Sequence, residues 1–563
     1  MLRRELDTKR RATRTVVARA ALTACASVAA VATLPASASA DSSSTVTVVG
    51  TSDVFDSGLI QSVIKPDFEA AYPKYSLNYV SQGTGAAITY AEAGTASALL
   101  VHAASLENQF VAGGYSAEQF GRAIFYGDYV LLGPAADPAH VFTNDPNDVV
   151  SAFEAIANEA QANGDVNFVS RGGTPGTTVE EHQIWALTSG VATCPVTTAN
   201  GGGSVPSADS SCATSPAPSW YHTTGLTQGP NVVNADTCNY TGGNCYVLTD
   251  RGTYQYLKDS GAISNLQVVC HNNSASAAGG ANLLVNSFHA YAVNPSNFSG
   301  SVASGINLPG ATAFLDWLTS PKAQREITAY QEADVDSGGS SFIGDAAPVI
   351  SSRASLPARV RSGRRVTIIG SLTNRVPGTS PLAAVSLTLS ATPTGSSTAT
   401  TVATATTGAD GSFSFSFTPS GNARYRVSSP QIAQVEIPAS VSFGPEYGDL
   451  LQSTSLGLGR MNVEGAPTIS ELRASKGLVT VKGGLSPAAA GPTAHVDIYA
   501  VRASKPTSTE PKLVEREPVA VGAKKYRASV RLARGRTWRI SVKYVDTGHI
   551  RAGTSPATKV HVT

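Results

Sequence analysis

The chain has 563 residues, 42% of them apolar and only 14% charged, and its formal net charge is +1. That length exceeds one ordinary core, and the apolar share is too high for a charge-dominated disordered chain, so several folded domains are expected. The near-zero total hides an asymmetry: residues 41–345 carry 8 Lys/Arg against 27 Asp/Glu, and residues 467–563 carry 17 against 6. An acidic body precedes a basic tail; no nucleic-acid partner is expected.

Residues 1–40 read as an export leader. Arg3, Arg4, Lys9, Arg10, Arg11, Arg14 and Arg19 precede the uncharged stretch 20–34, and Ala38-Ser39-Ala40 offers a small-residue cleavage site before Asp41. Leu22-Thr23-Ala24-Cys25 resembles a lipobox, but only five residues separate Arg19 from Cys25 and the following sequence stays apolar. Lipid anchoring at Cys25 is therefore the less favoured alternative. The expected location is extracytoplasmic, either secreted or associated with the cell wall. No later stretch has the length and apolarity of a membrane-spanning helix.

From residue 45, β-like and helical runs alternate: "TVTVVG", "SGLIQSVIKPDFEAAYP", "YSLNYV", "GAAITYAEAG" and "ALLVHA". This pattern predicts an α/β fold with mostly parallel sheets over 41–345. Three strand-to-helix loops are rich in glycine and hydroxyl residues. The first offers Thr51 and Ser52, and the second, "SQGTGAA", offers Gly83, Thr84 and Gly85. The third is "FVSRGGTPGTT" (168–178). Thr177 and Thr178 stand three residues before Glu180 and Glu181, the capping-box spacing, so a helix is expected to begin there. Gly172, Gly173 and Gly176 allow close backbone approach, Ser170, Thr174 and Thr177 supply hydroxyls, and Arg171 supplies a charged fork of donors. Together they make a cradle for a small oxyanion beyond the carboxyl ends of the strands. The competing reading is an ordinary Gly-rich loop whose arginine pairs with a nearby acid.

Outside the leader there are five cysteines. Cys194 and Cys212 bracket a Gly/Ser/Pro-rich loop, and Cys238 and Cys245 bracket "NYTGGN". Two local disulfides with Cys270 left over are the expectation, although sequence does not fix the connectivity. The spacings do not suit zinc, and no metal or cofactor is expected. Asp250-Arg251 reads as a helix N-cap with a local ion pair, His102 as a structural residue, and Trp185, Trp220 and Trp317 as packing. No nucleophile elbow, H-E-x-x-H or Walker-type loop is present and no carboxylates pair at a readable spacing, so no catalytic residue is assigned and an enzyme is not expected.

Near Pro348 the helical pattern stops. Short alternating strands predict a β-sandwich over 346–440, with Phe413, Phe415 and Phe417 on one face. A Gly-rich linker (441–466) and a second, basic sandwich (467–563) follow. In "KYRASVRLA", Lys525, Arg527 and Ser529 share one face opposite Tyr526, Ala528 and Val530. Lys524, Lys525, Arg527, Arg531, Arg534, Arg536 and Arg539 concentrate in what reads as a basic hairpin. It reads first as a plain solubilising surface, with contact to an anionic cell-wall polymer as the sharper alternative.

Residues 45–345 resemble the substrate-binding proteins of tungstate ABC transporters, within the group that includes phosphate- and molybdate-binding proteins. "DSGLIQSVIKPDFE", "GTGAAITYAEAGTASALLVHAASLENQFVAGGY", "IFYGDYVLLGPAADPA", "FVSRGGTPGTT", "WYHTTG", "YVLTDRGTYQYLK", "YAVNP" and "FLDWLTSPKAQ" carry the resemblance. It implies a two-lobed type II periplasmic-binding-protein fold, with "DYVLLGP" and "HAYAVNP" as the hinge-crossing strands. It also implies an oxyanion in the cleft, bound through Thr51, Ser52, Ser170 and Arg171. This chain departs from the family in its Cys-bearing insertions at 194–219 and 236–245 and at three places in the site loops. The family's longer Thr/Ser run reads Thr51-Ser52-Asp53-Val54 here, Gly173 replaces an acid, and Pro175 stands where relatives have serine. The implied function is extracytoplasmic capture of a tetrahedral oxyanion, tungstate- or molybdate-like or phosphate, for an ABC permease. The alternative is a secreted or cell-surface interaction protein that reuses this fold, with Ig-like modules contacting the wall.

Overall fold

The structure, a computed structural model, describes residues 44–198, 201–209, 211–212, 216–331, 340–376, 381–435 and 448–563. The expected leader and Cys25 lie outside the described residues.

The body is built on strands β1 (Thr45–Thr51), β2 (Ser76–Gln82), β3 (Ala98–Val101), β4 (Gly121–Pro134), β5 (Val166–Ser170), β6 (Thr193–Thr198), β7 (Gly201–Pro206), β8 (Tyr221–Thr223), β9 (Asn244–Asp250), β10 (Leu266–His271) and β11 (Val285–Ala292). Their main path runs β2-β1-β3-β11-β4-β9-β5-β8, with β10 also on β4, while β6 and β7 form a separate pair. β1 is parallel to β2 and β3, and β5 is parallel to β8 and β9. The long strand β4 joins two lobes. Arg122–Asp128 pairs with β11 in the first lobe, and Tyr129–Leu132 pairs with β9 in the second. The crossing therefore falls near Asp128–Tyr129 and at the start of β11, where the Tyr129 N–H donates to the Leu284 carbonyl at 2.8 Å. This differs from the expected hinge: "HAYAVNP" lies within the first lobe, because His289–Ala292 pairs with β3.

Each lobe is helix-coated on both faces, which follows from strands apolar on both sides. In β1, Val46 and Val48 enter a core with Phe68, Phe314 and Trp317, while Val49 enters a second core with Ile88 and Phe110. The second lobe packs Phe153, Phe168, Trp185 and Trp220 on one face, and Val169, Val232 and Tyr254 on the other. The three tryptophans are core residues. The sulfurs of Cys194 and Cys212, and those of Cys238 and Cys245, lie at bonding distance, with Cα separations of 5.3 and 5.7 Å, and Cys270 is buried and free.

The C-terminal half forms two β domains, each a three-stranded sheet facing a five-stranded one. In the first, 349–352, 366–373 and 412–417 face 359–361, 455–464, 423–428, 386–393 and 400–406. Phe413, Phe415 and Phe417 share its core with Leu387, Leu389, Tyr425 and Met461. The second domain packs Val479, Val481, Tyr526, Ala528 and Val530 against Val496, Ile498, Ile540 and Val542.

Two expectations need correction. The stretch expected as a linker is structured in its described part. Ser455–Glu464 is a strand of the first β domain, paired with 423–428 and 359–361, and its Met461 and Val463 are buried. Gly448–Leu451 pairs with Ile432–Val435 and, through Asp449 and Leu450, with Gly121 and Arg122 of β4. The expected basic hairpin does not form. Lys525–Arg531 belongs to the three-stranded sheet and Arg536–Val545 to the five-stranded sheet, so their charges divide between two surfaces.

Phe415 is 1% exposed. Phe415→Ala is expected to cost about 3–5 kcal/mol, read as a shift of the first β domain's transition in a urea titration. Ser414→Ala on the exposed face should stay within about 0.5 kcal/mol.

Candidate functional site

The carboxyl ends of β1, β3, β5 and β9 bring the loops together where the lobes meet. Arg171, 6% exposed, follows β5. Its Nη2 donates to Ser52 Oγ of the first lobe at 3.1 Å, its Nη1 to Gln228 Oε1 at 2.9 Å, and its Nε to the Leu226 carbonyl at 3.2 Å. Thr177 Oγ1 donates to the same Gln228 oxygen at 3.0 Å, and Gln228 Nε2 donates to Thr249 Oγ1 at 2.6 Å. A guanidinium presents five donors in a fixed fork. Here neutral oxygens from both lobes accept from it, and no carboxylate touches it among the described residues. The reading in which Arg171 simply pairs with an acid is therefore not what the structure shows.

Acids stand one layer out. Asp53 Oδ2 lies 2.9 Å from His102 Nε2, and His102 Nδ1 lies 2.9 Å from the Tyr129 hydroxyl. Asp56 Oδ2 accepts from the Gly229 N–H at 2.8 Å, another contact between lobes. Asp250 Oδ1 caps the following helix by accepting from the Thr253 N–H at 2.8 Å, while its buried Oδ2 has no hydrogen-bond partner among the described residues. Burial lowers the Arg171 pKa, and Asp53, Asp56 and Asp250 act against that shift. Burial pushes Asp53 upward, but His102, by charge and hydrogen bond, outweighs it and holds the carboxyl well below the usual range. Asp250 goes the other way: burial first, and then the Asp53 charge, raise it to about 7. Environment thus splits neighbouring carboxylates.

The expected site residues fall into two groups. Ser52, Arg171 and Thr177 are buried in one hydrogen-bonded cluster with Gln228, and Thr51 is buried beside Ser52 in the chain. The others are used in construction. Ser170 Oγ accepts from the Gly172 N–H at 3.2 Å. Thr84 Oγ1 donates to the His102 carbonyl at 2.9 Å, and the Gly85 N–H donates across the cleft to the Thr174 carbonyl at 3.3 Å. Gly83 faces Pro175, and a Cβ on Gly85 would stand 2.6 Å from Thr174 Oγ1. These residues shut the lobes against each other. Gly176 is required for the same closure, because a Cβ there would lie 2.0 Å from the His102 ring.

The capping box does not form. The helix runs Gly176–Leu187 with Pro175 as its N-cap, Thr177 turns to Gln228, and Thr178 Oγ1 donates to the Gly172 carbonyl at 3.2 Å. Burial beside the site claims both hydroxyls. Arg251 likewise makes no local pair with Asp250; its Nε donates to Asp128 Oδ1 at 2.6 Å. Gln228 and Tyr129 are site residues that carried no sequence signal. His102 is structural as expected, but it also positions Asp53.

Two α/β lobes joined through a shared long strand, with an arginine and hydroxyls buried between them, define a two-lobed solute-binding fold of type II. The chain belongs to the PBP superfamily, whose domain model matches residues 35–322. A proposed ABC transporter anion-binding protein of Haloferax volcanii is 31% identical over 284 residues, covering 50% of this chain and 68% of that one. The tungstate-binding protein TupA of Peptoclostridium acidaminophilum is 29% identical over 280 residues, covering 50% and 79%. Among solved structures, the tungstate ABC transporter protein of Geobacter sulfurreducens has 26% identity and a TM-score of 0.38, covering 51% of this chain and 98% of that one.

Two of the raised carboxyls, Asp250 and Glu181, set a pH test. Glu181, which accepts from Tyr221 at 2.6 Å, is also pushed up by burial to about 7. An acid whose folded pKa is raised stabilises fully below its ordinary value and loses that contribution as pH rises through its folded value. Asp53 acts only at the acid end, losing its contribution as pH falls toward its depressed value. His182, lowered by burial to about 4, opposes the trend only below its ordinary 6.5. Thermal stability should therefore be lower at pH 8.5 than at pH 5, with the loss from these two acids falling mainly between about 4 and about 7 and His182 opposing part of it below 6.5. Asp250→Asn keeps the cap oxygen and removes the charge, so its gain in melting temperature should be larger at pH 8.5 than at pH 5. Equal gains at both would refute the raised Asp250.

Proposed function

We propose that the protein is an extracytoplasmic solute-binding protein that captures a small tetrahedral oxyanion between its lobes for an ABC-type permease. The observation that carries this reading is the Arg171 fork, buried between the lobes and held by neutral acceptors that an anion can replace. Thr51, Ser52 and Thr177 are the proposed companions of Arg171 at the ligand. Gly83, Thr84, Gly85, Ser170 and Thr174 are proposed to shape and close the site. The names of the relatives, for anion and tungstate binding, support the ligand class. No catalytic step is assigned.

Asp53 bears on which oxyanion is taken. An ionised carboxylate only accepts hydrogen bonds and repels a fully deprotonated dianion. A ligand that keeps a proton turns that repulsion into a hydrogen bond. Phosphate keeps one at neutral pH, whereas tungstate, molybdate and sulfate do not. Asp53 would favour phosphate only if it left His102 to meet the ligand, while the relatives' names favour tungstate.

Calorimetric titration of the purified protein with phosphate, tungstate, molybdate and sulfate tests both points. At least one should bind. Arg171→Ala should weaken the bound anion by at least about tenfold, since a hydrogen bond to a charged group contributes about 1.5–3 kcal/mol. Arg171→Lys keeps the charge but not the fork and should fall between. Unchanged affinity in Arg171→Ala removes the site assignment, and silence with all four anions removes the function.

A further inference from the structure

A groove of about 1220 Å³ opens where the first lobe meets the first β domain, well away from Arg171 in the chain and in its lining. Its lobe wall is the helix Pro321–Ala329, which contributes Arg325, and its β wall contributes Arg375 and Arg426. None of these three arginines lies within ion-pair distance of a carboxylate among the described residues. Arg426 makes one long contact, from Nη1 to Ser455 Oγ at 3.4 Å. The acid of the lining, Asp316, is already held by Arg122 Nη1 at 2.6 Å, and Arg122 also holds Glu118. Among the described residues the groove therefore has an excess of unpaired positive charge, although the body beside it is strongly acidic.

The rest of the lining narrows the ligand class. Ser453, Thr454 and Ser455 form a hydroxyl row, and the buried Gln452 amide nitrogen beside them has no hydrogen-bond partner among the described residues. These groups suit a ligand with many hydroxyls as well as charges. No aromatic ring is in the lining, so no platform exists on which a nucleobase would stack. The volume exceeds the ~300–1,000 Å³ typical of small-molecule pockets and far exceeds a single oxyanion. Guanidinium forks match carboxylate and phosphate groups, and three of them suit a ligand that repeats its charge.

We propose that this groove binds a strand of acidic glycan, sugar or polyol units that carry carboxylate or phosphate groups. The site is composite: neither the lobe nor the β domain holds all three arginines. The β domain is then not a spacer but half of a second binding site, separate from the cleft.

The test is binding of the whole purified protein to three immobilised probes: an oligogalacturonate, a glycerol-phosphate oligomer and an uncharged glucan. One or both acidic probes should be retained, the glucan should not, and the arm that binds identifies the charged group. Retention should weaken as salt rises. Arg375→Ala and Arg426→Ala should each reduce affinity by about tenfold, and the triple variant with Arg325→Ala should abolish it. Both β-wall arginines are exposed, so the fold should survive. Arg171→Ala should leave glycan retention unchanged, which separates this site from the cleft. Failure of both acidic probes, or retention indifferent to the three arginines, overturns the proposal. Equal, arginine-dependent retention of a single-stranded oligonucleotide also overturns it, because the groove would then sense charge alone.

Discussion

The burial of one guanidinium between two lobes sets the terms for the rest of the body. Taking a cation out of water costs several kcal/mol unless its donors are met. Arg171 meets that cost with three neutral oxygens, one from the opposite lobe and two from the chain around Gln228. The acids that would otherwise attract it are occupied elsewhere: Asp53 by His102, Asp56 by the Gly229 N–H, and Asp250 by its own helix. A direct Arg–Asp pair would satisfy the arginine permanently. Neutral acceptors leave the fork exchangeable, and exchange with an anion is what a reversible binding site requires.

This arrangement explains what could be read from the sequence and what could not. The α/β alternation and the strand-to-helix loops were legible because hydrophobic period and glycine placement are local signals. So was the Phe413-Phe415-Phe417 face, since its alternation matches the burial of its strand. The helix start near Thr177 was misassigned because the capping box is also a local signal, and here a tertiary partner displaced it. Thr177 answers to Gln228, fifty-one residues away. Gln228 itself opens a helix with no motif around it, and only the closed fold shows that its amide bridges Arg171, Thr177 and Thr249. Likewise Arg251 could not be seen to prefer Asp128 over its neighbour Asp250, because that choice is made by the register of β4 against β9.

The C-terminal boundaries failed for a related reason. "SLGLGRMNVE" looks like a linker when its glycines are weighed, but in the fold it is a strand buried along one edge of its side chains, with Met461 and Val463 in cores. Glycine weakens a strand without forbidding it, and sheet partners on both sides compensate. The basic tail shows the converse. Its charges are real and solvated, yet consecutive strands went to different sheets rather than pairing as a hairpin. Charge clustered in sequence was therefore divided in space, whereas Arg325, Arg375 and Arg426, scattered over a hundred residues, share one groove.

Strand β4 links these observations mechanically. One end, at Gly121 and Arg122, pairs with Asp449 and Leu450 of the segment that attaches the first β domain. The middle belongs to the first lobe, and only the stretch after Asp128 belongs to the second. The β domain is thus fastened to the first lobe: the Gln452 N–H donates to the Ala346 carbonyl, and Ala123 lies in the same core as Leu451. A hinge at Asp128–Tyr129 would move the second lobe, with Arg171, relative to the first lobe and the β domain paired to it. Every wall of the arginine groove lies on the first-lobe side of that hinge. Opening or closing the cleft need not deform the groove, so binding of the proposed glycan and binding of the proposed oxyanion would be independent events.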